Sequence, residues 1–422
     1  MDAENGRAFA YTYTTEIDMG ELTKCLGSAY TTFADKSTVD NGTHDNMLSD
    51  VWNTFMHTNA LNPTMYPSLR KFETEIISMT SWMLHGDDKC CGALTSGGTE
   101  SILMAIKAYR DRAKKLRPYL TKPNIIVPTT IHPAFEKAGS YFGVELIHIE
   151  LDQDMRVNVK LVEQAINKNT ILLVGSAPQY CHGVVDPISK LSDIALSHGL
   201  PLHVDACFGG FMLPWLEKLG YKIPTFDFRI PGVTSISADV HKYGYSSKGA
   251  SVILYRNEEL RSHQYFAYGS WPGGLFGSPS LTGSRPGGMI AAAWAALVGK
   301  IWYDMIWHDM IWYARVGLNF LLEVYIQYLP FHCHSYCLDI NSLMLCSVTY
   351  CLDTAMGQDG YMRIAADVME TTQEVVKAVQ RIDGLRLMAV PDMTCVSFTT
   401  EASLNIHAVA DSMEKKGWKM ER

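Results

Sequence analysis

The chain has 422 residues, with 36 Lys and Arg against 44 Asp and Glu, a formal net charge of −8, and 47% hydrophobic against 19% charged residues. That length suits one large domain and a smaller one, each with its own core, and the balance leaves little room for long disorder. The negative charge and the lack of a basic stripe argue against nucleic acid as a partner; the cluster from Lys107 to Lys122 has the spacing of a solvated helix face. Ten cysteines without a secretory leader read as reduced thiols. The pair Cys90-Cys91 lacks metal-ligand spacing, and no metal is expected. No run of eighteen uncharged apolar residues offers a membrane anchor, so the chain as written is expected in the cytoplasm.

In chain order, residues 1–57 read as a polar, irregular N-terminal arm, with Tyr11 and Tyr13 near its start and a loop-like stretch from Ala34 to Asp50. A helical period follows from Leu69 to Leu84, with Leu69, Phe72, Ile76, Ile77, Met79 and Met83 on one face. The stretch Thr95-Ser96-Gly97-Gly98-Thr99-Glu100-Ser101 then opens a second helix, Ile102 to Leu116. Glycines let backbone approach a ligand closely, and the amides at a helix start favour an anion such as phosphate.

From Ile125 the chain alternates short apolar runs with amphipathic stretches. The runs are Ile125–Val127, Leu146–Ile149, Ile171–Val174, Leu202–Val204, Thr234–Ile236 and Ser251–Leu254; helical stretches include Pro133–Tyr141, Lys160–Asn167 and Pro187–Ser197. Strand and helix in alternation predict an α/β fold with a mainly parallel sheet and ligands at the carboxyl ends of its strands. Polar residues follow those runs: His132, Ser176 and Gln179, Asp205, and the pair His241-Lys242. An enclosed lysine has its ammonium destabilised and its pKa lowered, which makes Lys242 a candidate Schiff-base lysine. A buried Asp205 needs a cationic or hydrogen-bonding partner: a protonated pyridine nitrogen is one, and capping of the next turn is the structural alternative. His132 could lay its ring on a flat cofactor or simply be a structural histidine. Gly283-Ser284-Arg285-Pro286-Gly287-Gly288 offers amides, a hydroxyl and a guanidinium for a phosphate or a subunit contact.

Together these stretches resemble the group II decarboxylase superfamily of pyridoxal-phosphate enzymes. The resemblance falls within the sphingosine-1-phosphate lyases. It is carried by the Thr95–Ser101 motif, His203-Val204-Asp205-Ala206-Cys207-Phe208-Gly209-Gly210-Phe211, Ser237-Ala238-Asp239-Val240-His241-Lys242-Tyr243-Gly244-Tyr245 and the Gly283–Gly288 run. It is nearly continuous from Thr58 to Val298. It implies a fold-type I, aspartate-aminotransferase-like architecture, with a large cofactor-binding domain at 58–290 and a smaller C-terminal α+β domain at 291–422. It further implies that Lys242 holds pyridoxal 5'-phosphate covalently, that Asp205 keeps the ring nitrogen protonated, and that His132 stacks on the ring. Gly97, Gly98, Thr99 and His241 would grip the cofactor phosphate, with Ser284 reaching it from a neighbouring subunit of a homodimer. Tyr11, Asn59 and Lys248 match positions that bind the substrate's phosphate.

The implied reaction cleaves a sphingoid-base 1-phosphate between carbons 2 and 3, giving a fatty aldehyde and phosphoethanolamine. Lys242, the cofactor phosphate, His182 or a tyrosine are the candidate bases. An amino-acid decarboxylase, or a non-catalytic homologue, are the alternative readings. Eukaryotic relatives are tethered to the endoplasmic reticulum, facing the cytosol, which is the location expected if an anchor is supplied. Asn62 stands where relatives carry a histidine, and Val240 where they carry a threonine. Residues 299–356 read either as a lineage-specific insertion or as translated non-coding sequence, with seven charged residues in fifty-eight and four of the ten cysteines. The pattern of the small domain stops early, at Arg422; it predicts a helix over Ile364–Ile382, strands at Leu385–Val390 and Cys395–Thr399, and a helix over Ile406–Lys416.

Overall fold

A computed structural model describes residues 8–11, 43–61, 64–298, 357–382, 384–400, 406–408 and 411. Strand β1 (Ala8–Tyr11) precedes helices α1 (Thr43–Phe55) and α2 (Pro67–Met83). Next come β2 (Cys91–Thr95), α3 (Gly98–Leu116), β3 (Asn124–Pro128), α4 (Ala134–Phe142), β4 (Glu145–Ile149), α5 (Val159–Ala165) and β5 (Thr170–Ser176). They are followed by α6 (Ile188–Ser197), β6 (Leu202–Asp205), α7 (Leu213–Lys218), β7 (Val233–Ala238), β8 (Ser251–Tyr255) and α8 (Glu258–Ser262). A ribbon of β9 (Phe266–Tyr268) and β10 (Phe276–Ser278) leads to helical residues 287–298, here α9. The last elements are α10 (Gly357–Arg381), β11 (Leu385–Leu387) and β12 (Cys395–Thr400).

Seven strands form the central sheet in the order β2-β8-β7-β6-β5-β3-β4. Strands β3 to β7 are mutually parallel, β8 runs against β7, and β2 runs against β8, so β8 alone opposes the common direction. Strands β3, β5 and β8 read as nearly unbroken apolar runs because both of their faces are covered. Residues alternate across the sheet: Ile125, Val127, Leu172 and Val174 pack with α3 and α4, whereas Ile126, Leu173, Val204 and Ile236 pack with α2, α6, α7 and α9. The second face also takes in Tyr361, Ala365, Val368 and Met369 of α10. A separate three-stranded sheet, β1-β12-β11, carries Tyr11 opposite Cys395.

The expected mainly parallel α/β sheet is present, and so are the helices predicted at Leu69–Leu84, Ile102–Leu116, Pro133–Tyr141, Lys160–Asn167, Pro187–Ser197 and Ile364–Ile382, with ends shifted by a few residues. The stretch expected to be loop-like as far as Asp50 is instead helical from Thr43. The physical reason is an apolar stripe: Met47, Leu48 and Val51 recur at helical spacing and are buried in the main core. Strand β2 went unread because Cys-Gly-Ala-Leu-Thr is short and interrupted by glycine. The block at 299–356, Asn62, and most of the predicted helix after Ile406 lie outside the described residues. Among those described, no helix is long and apolar enough to cross a membrane.

Candidate active site

The carboxyl ends of β3, β5, β6 and β7 share one edge of the sheet, and His132, Asp205, His241 and Lys242 sit at or just after them. Asp205 is the last residue of β6 and is 7% exposed. Its Oδ1 accepts from the Cys207 amide at 3.0 Å and from Ser237 Oγ at 3.2 Å. No donor among the described residues reaches Oδ2. Asp205 therefore caps its turn with Oδ1 and keeps Oδ2 without a donor among the described residues.

Lys242 lies on the turn after β7, and its Nζ is 2.8 Å from Asp239 Oδ2. Asp239 is almost fully buried, and its Oδ1 has no hydrogen-bond partner among the described residues. Burial works against the Lys242 ammonium, but the charge of Asp239 outweighs it and holds the lysine above its ordinary range. The expected depression of this pKa is thus not found. Its cause is the carboxylate three residues upstream, which the enclosed-lysine argument had left out.

The loop before α3 forms the neighbouring wall. Gly97 has φ 149°, in the region that favours glycine, and a Cβ there would lie 3.4 Å from the His241 ring. A Cβ on Gly98 would meet both Asp239 oxygens at 2.8 Å and Cys207 Sγ at 2.9 Å. Only glycine lets the helix start come this close to the Lys242 turn. No side chain caps α3, so the amides of Gly98 and Thr99 begin the helix with the positive end of its dipole. Glu100 braces the loop, accepting from Ser96 N at 2.7 Å, Ser96 Oγ at 2.6 Å and Leu281 N at 2.9 Å. His241 accepts the Ala250 amide at Nδ1, 3.1 Å, and its Nε2 lies 3.6 Å from Asp239 Oδ2. Burial lowers its pKa.

The remaining predicted residues are less enclosed. His132 is exposed at the start of α4, its Nδ1 accepting from Ala134 N at 3.0 Å. Asn59 Nδ2 donates to Ser284 Oγ at 3.0 Å within the same chain, and Asn59 Oδ1 accepts from Arg285 N at 3.1 Å. Arg285 is anchored in turn on Glu73 at 2.5 Å. Lys248 is exposed and donates to the His241 carbonyl at 3.0 Å. Tyr11 has its backbone on β1; its side chain lies outside the described residues. Ser176 and Gln179 serve the scaffold: Ser176 N donates to Asp186, and Gln179 bonds Met155 O and His182.

A group with a basic ring nitrogen, an aldehyde and a phosphate fits this donor set: Asp205, Lys242 and the uncapped start of α3 are neighbours, linked through Cys207 and Asp239. The family model described as "Pyridoxal-dependent decarboxylase conserved domain" matches residues 35–267, more than half of the chain. The chain belongs to the pyridoxal-dependent decarboxylase family. Its cofactor is pyridoxal 5'-phosphate and its architecture is that of the fold-type I enzymes. Among solved structures it resembles a sphingosine-1-phosphate lyase of Burkholderia pseudomallei, at 36% identity and a TM-score of 0.73, covering 95% of this chain and 83% of that one. It is 42% identical over 376 residues to a sphingosine-1-phosphate lyase of Dictyostelium discoideum, covering 89% of this chain and 60% of that protein. It is also 35% identical over 364 residues to a probable L-aspartate decarboxylase of Thermococcus gammatolerans, covering 86% of this chain and 78% of that protein. The chain spans about three-fifths of the length of the first curated relatives it matches.

Reading the sequence alone missed Asp239, Ser237 and His203, which surround the two residues it found. Asp239 had a local signal, being three residues before Lys242 on a turn. Ser237 and His203 had none, because their roles depend on how β6 and β7 are registered.

Proposed function

We propose that this decarboxylase-family member is a carbon–carbon lyase that cleaves sphingoid-base 1-phosphates to a fatty aldehyde and phosphoethanolamine. The observation that carries the reading is the likeness, at 36% identity and over 83% of its length, to the lyase of Burkholderia pseudomallei. When bound, pyridoxal phosphate supplies an electron sink for the bond that breaks between carbons 2 and 3. Lys242 is its covalent anchor. Before Nζ can bond a carbonyl it must lose a proton, a loss that the charge of Asp239, with Oδ2 at 2.8 Å, opposes. Asp205 Oδ2 holds a proton on the ring nitrogen, and His132 covers the ring. The amides of Gly97, Gly98 and Thr99, with His241, bind the cofactor phosphate.

Asn59, Lys248 and Tyr11 bind the substrate phosphate, and Ser284 completes the cofactor's phosphate site across a homodimer. Supporting the Tyr11 assignment, its strand pairs with Cys395, and the adjacent Thr394 hydroxyl lies 2.6 Å from that of Tyr243, the neighbour of Lys242. Supporting the dimer, the β9–β10 ribbon and its connection expose Phe266, Tyr268, Trp271 and Leu275, an apolar surface suited to a second copy. Placement at the cytosolic face of the endoplasmic reticulum belongs to the same proposal. The test is incubation of the purified protein, supplied with pyridoxal phosphate, with sphinganine 1-phosphate. Equimolar phosphoethanolamine and long-chain aldehyde are expected; carbon dioxide release from aspartate without aldehyde formation would replace the lyase with a decarboxylase.

A further inference from the structure

Behind Asp205 lies a row of polar side chains that the catalytic reading does not use. On β6, His203 and Asp205 are two residues apart and share a face; on β7, Ser235 and Ser237 do the same, and the register pairs His203 with Ser235 and Asp205 with Ser237. His203, Ser235 and Ser237 have no exposed surface, and Tyr109 of α3 is 2% exposed. Tyr109 Oη donates to Ser235 Oγ at 2.7 Å, Ser235 Oγ meets His203 Nδ1 at 2.8 Å, His203 Nε2 meets Ser237 Oγ at 3.3 Å, and Ser237 Oγ donates to Asp205 Oδ1 at 3.2 Å.

The directions of these bonds follow from counting protons. Ser237 has one hydroxyl proton, and a carboxylate can only accept it, so Ser237 must accept from His203 Nε2–H. A neutral imidazole with its proton on Nε2 accepts at Nδ1, and the donor there is the Ser235 hydroxyl. Ser235 in turn accepts from Tyr109. Every proton in the row points toward Asp205. Burial lowers the His203 pKa to about 4, in keeping with a neutral ring.

We propose that His203 is a positioning residue for the cofactor's ring nitrogen: the one-way row Tyr109–Ser235–His203–Ser237 holds Asp205 Oδ1, so that Oδ2 alone is presented to that nitrogen. The inference rests on the reading of Asp205 as the partner of the ring. Donors converging on Oδ1 remove the carboxyl's freedom to rotate, which is the usual task of groups standing behind a functional side chain.

Binding of two probes to the cofactor-free chain tests this: pyridoxal phosphate itself, and its analogue with a C–H in place of the ring nitrogen. In Ser237→Ala, the dissociation constant for pyridoxal phosphate is expected to rise about tenfold, the scale of a lost hydrogen bond to a charged group, with no change for the analogue. Equal weakening of both probes, or no weakening of either, overturns the proposal. Failure of the unsubstituted chain to bind pyridoxal phosphate at all would sink the site reading along with it. Should Ser237→Ala not fold, nitrogen-15 histidine NMR of the unsubstituted chain decides: a proton on Nε2 of His203 is expected, and a proton on Nδ1 instead overturns the row.

Discussion

Asp205 and Lys248 are both assigned to one reaction, yet the chain holds them in opposite ways. Asp205 ends a central strand, is 7% exposed, and has one oxygen fixed by two donors. Lys248 is exposed on a loop and folds its ammonium onto the His241 carbonyl at 3.0 Å; Asn59 likewise directs its amide to Ser284. The Asp205 side of the site is built by the packing of a single chain. The side proposed to bind the substrate phosphate consists of loop side chains with local partners, which would have to be exchanged for a ligand at some cost in binding. A preorganised charge stabilises a developing one far better than a charge that must first be reoriented, so the chemistry should depend on β6 and β7 and the affinity on the loops.

Substitutions can break that division. Lys242→Ala removes the covalent anchor, and kcat should fall by a factor on the order of 10⁴ or more in the aldehyde-release assay, with loss of the visible absorption of the bound cofactor. Asp205→Asn keeps the shape but removes the charge; kcat should fall on the order of 10²- to 10³-fold with KM little changed. A KM effect alone would move Asp205 to the binding side of the comparison.

The pH dependence of stability sharpens it further. His203, held near 4 against an ordinary 6.5, binds a proton more readily unfolded than folded between those values. Its contribution is therefore fully present above about pH 6.5 and is lost as pH falls toward 4, amounting to about 3 kcal/mol. Asp186, pushed up to about 6 by burial, acts with the opposite sign over an overlapping window: its contribution is present below the ordinary value of 3.8 and is lost as pH rises through 6. The two nearly cancel. Urea unfolding of His203→Asn should then show a stability that rises less with pH between 4 and 6 than that of the unsubstituted chain. The smallest effect is expected at the loops: Lys248→Gln should raise KM about tenfold and leave kcat within about twofold, as for one charge-assisted contact to the substrate.

The same division governs what could be read in the sequence. Strands β3, β5 and β8 were legible because burial on both faces leaves continuous apolar runs, and Asp205 and Lys242 stood out as charged residues at or after the ends of neighbouring strands. His203 was hidden by the same rule, since a histidine within Leu-His-Val-Asp looks like ordinary alternation until β7 supplies its partners. Helix α1 was obscured by Asp45, Asn46, Ser49 and Asp50, whose polar face masks the Met47–Val51 stripe. The raised pKa of Lys242 was missed for another reason: distance to Asp239 is a property of the turn, not of the composition around it.

The covalent anchor itself can be read directly. After loading with pyridoxal phosphate, borohydride reduction and proteolysis, mass spectrometry should find the pyridoxyl group on the peptide containing Lys242, with Lys248 unmodified. A stoichiometric adduct on Lys248, or on any lysine away from the end of β7, would contradict the assignment of the site.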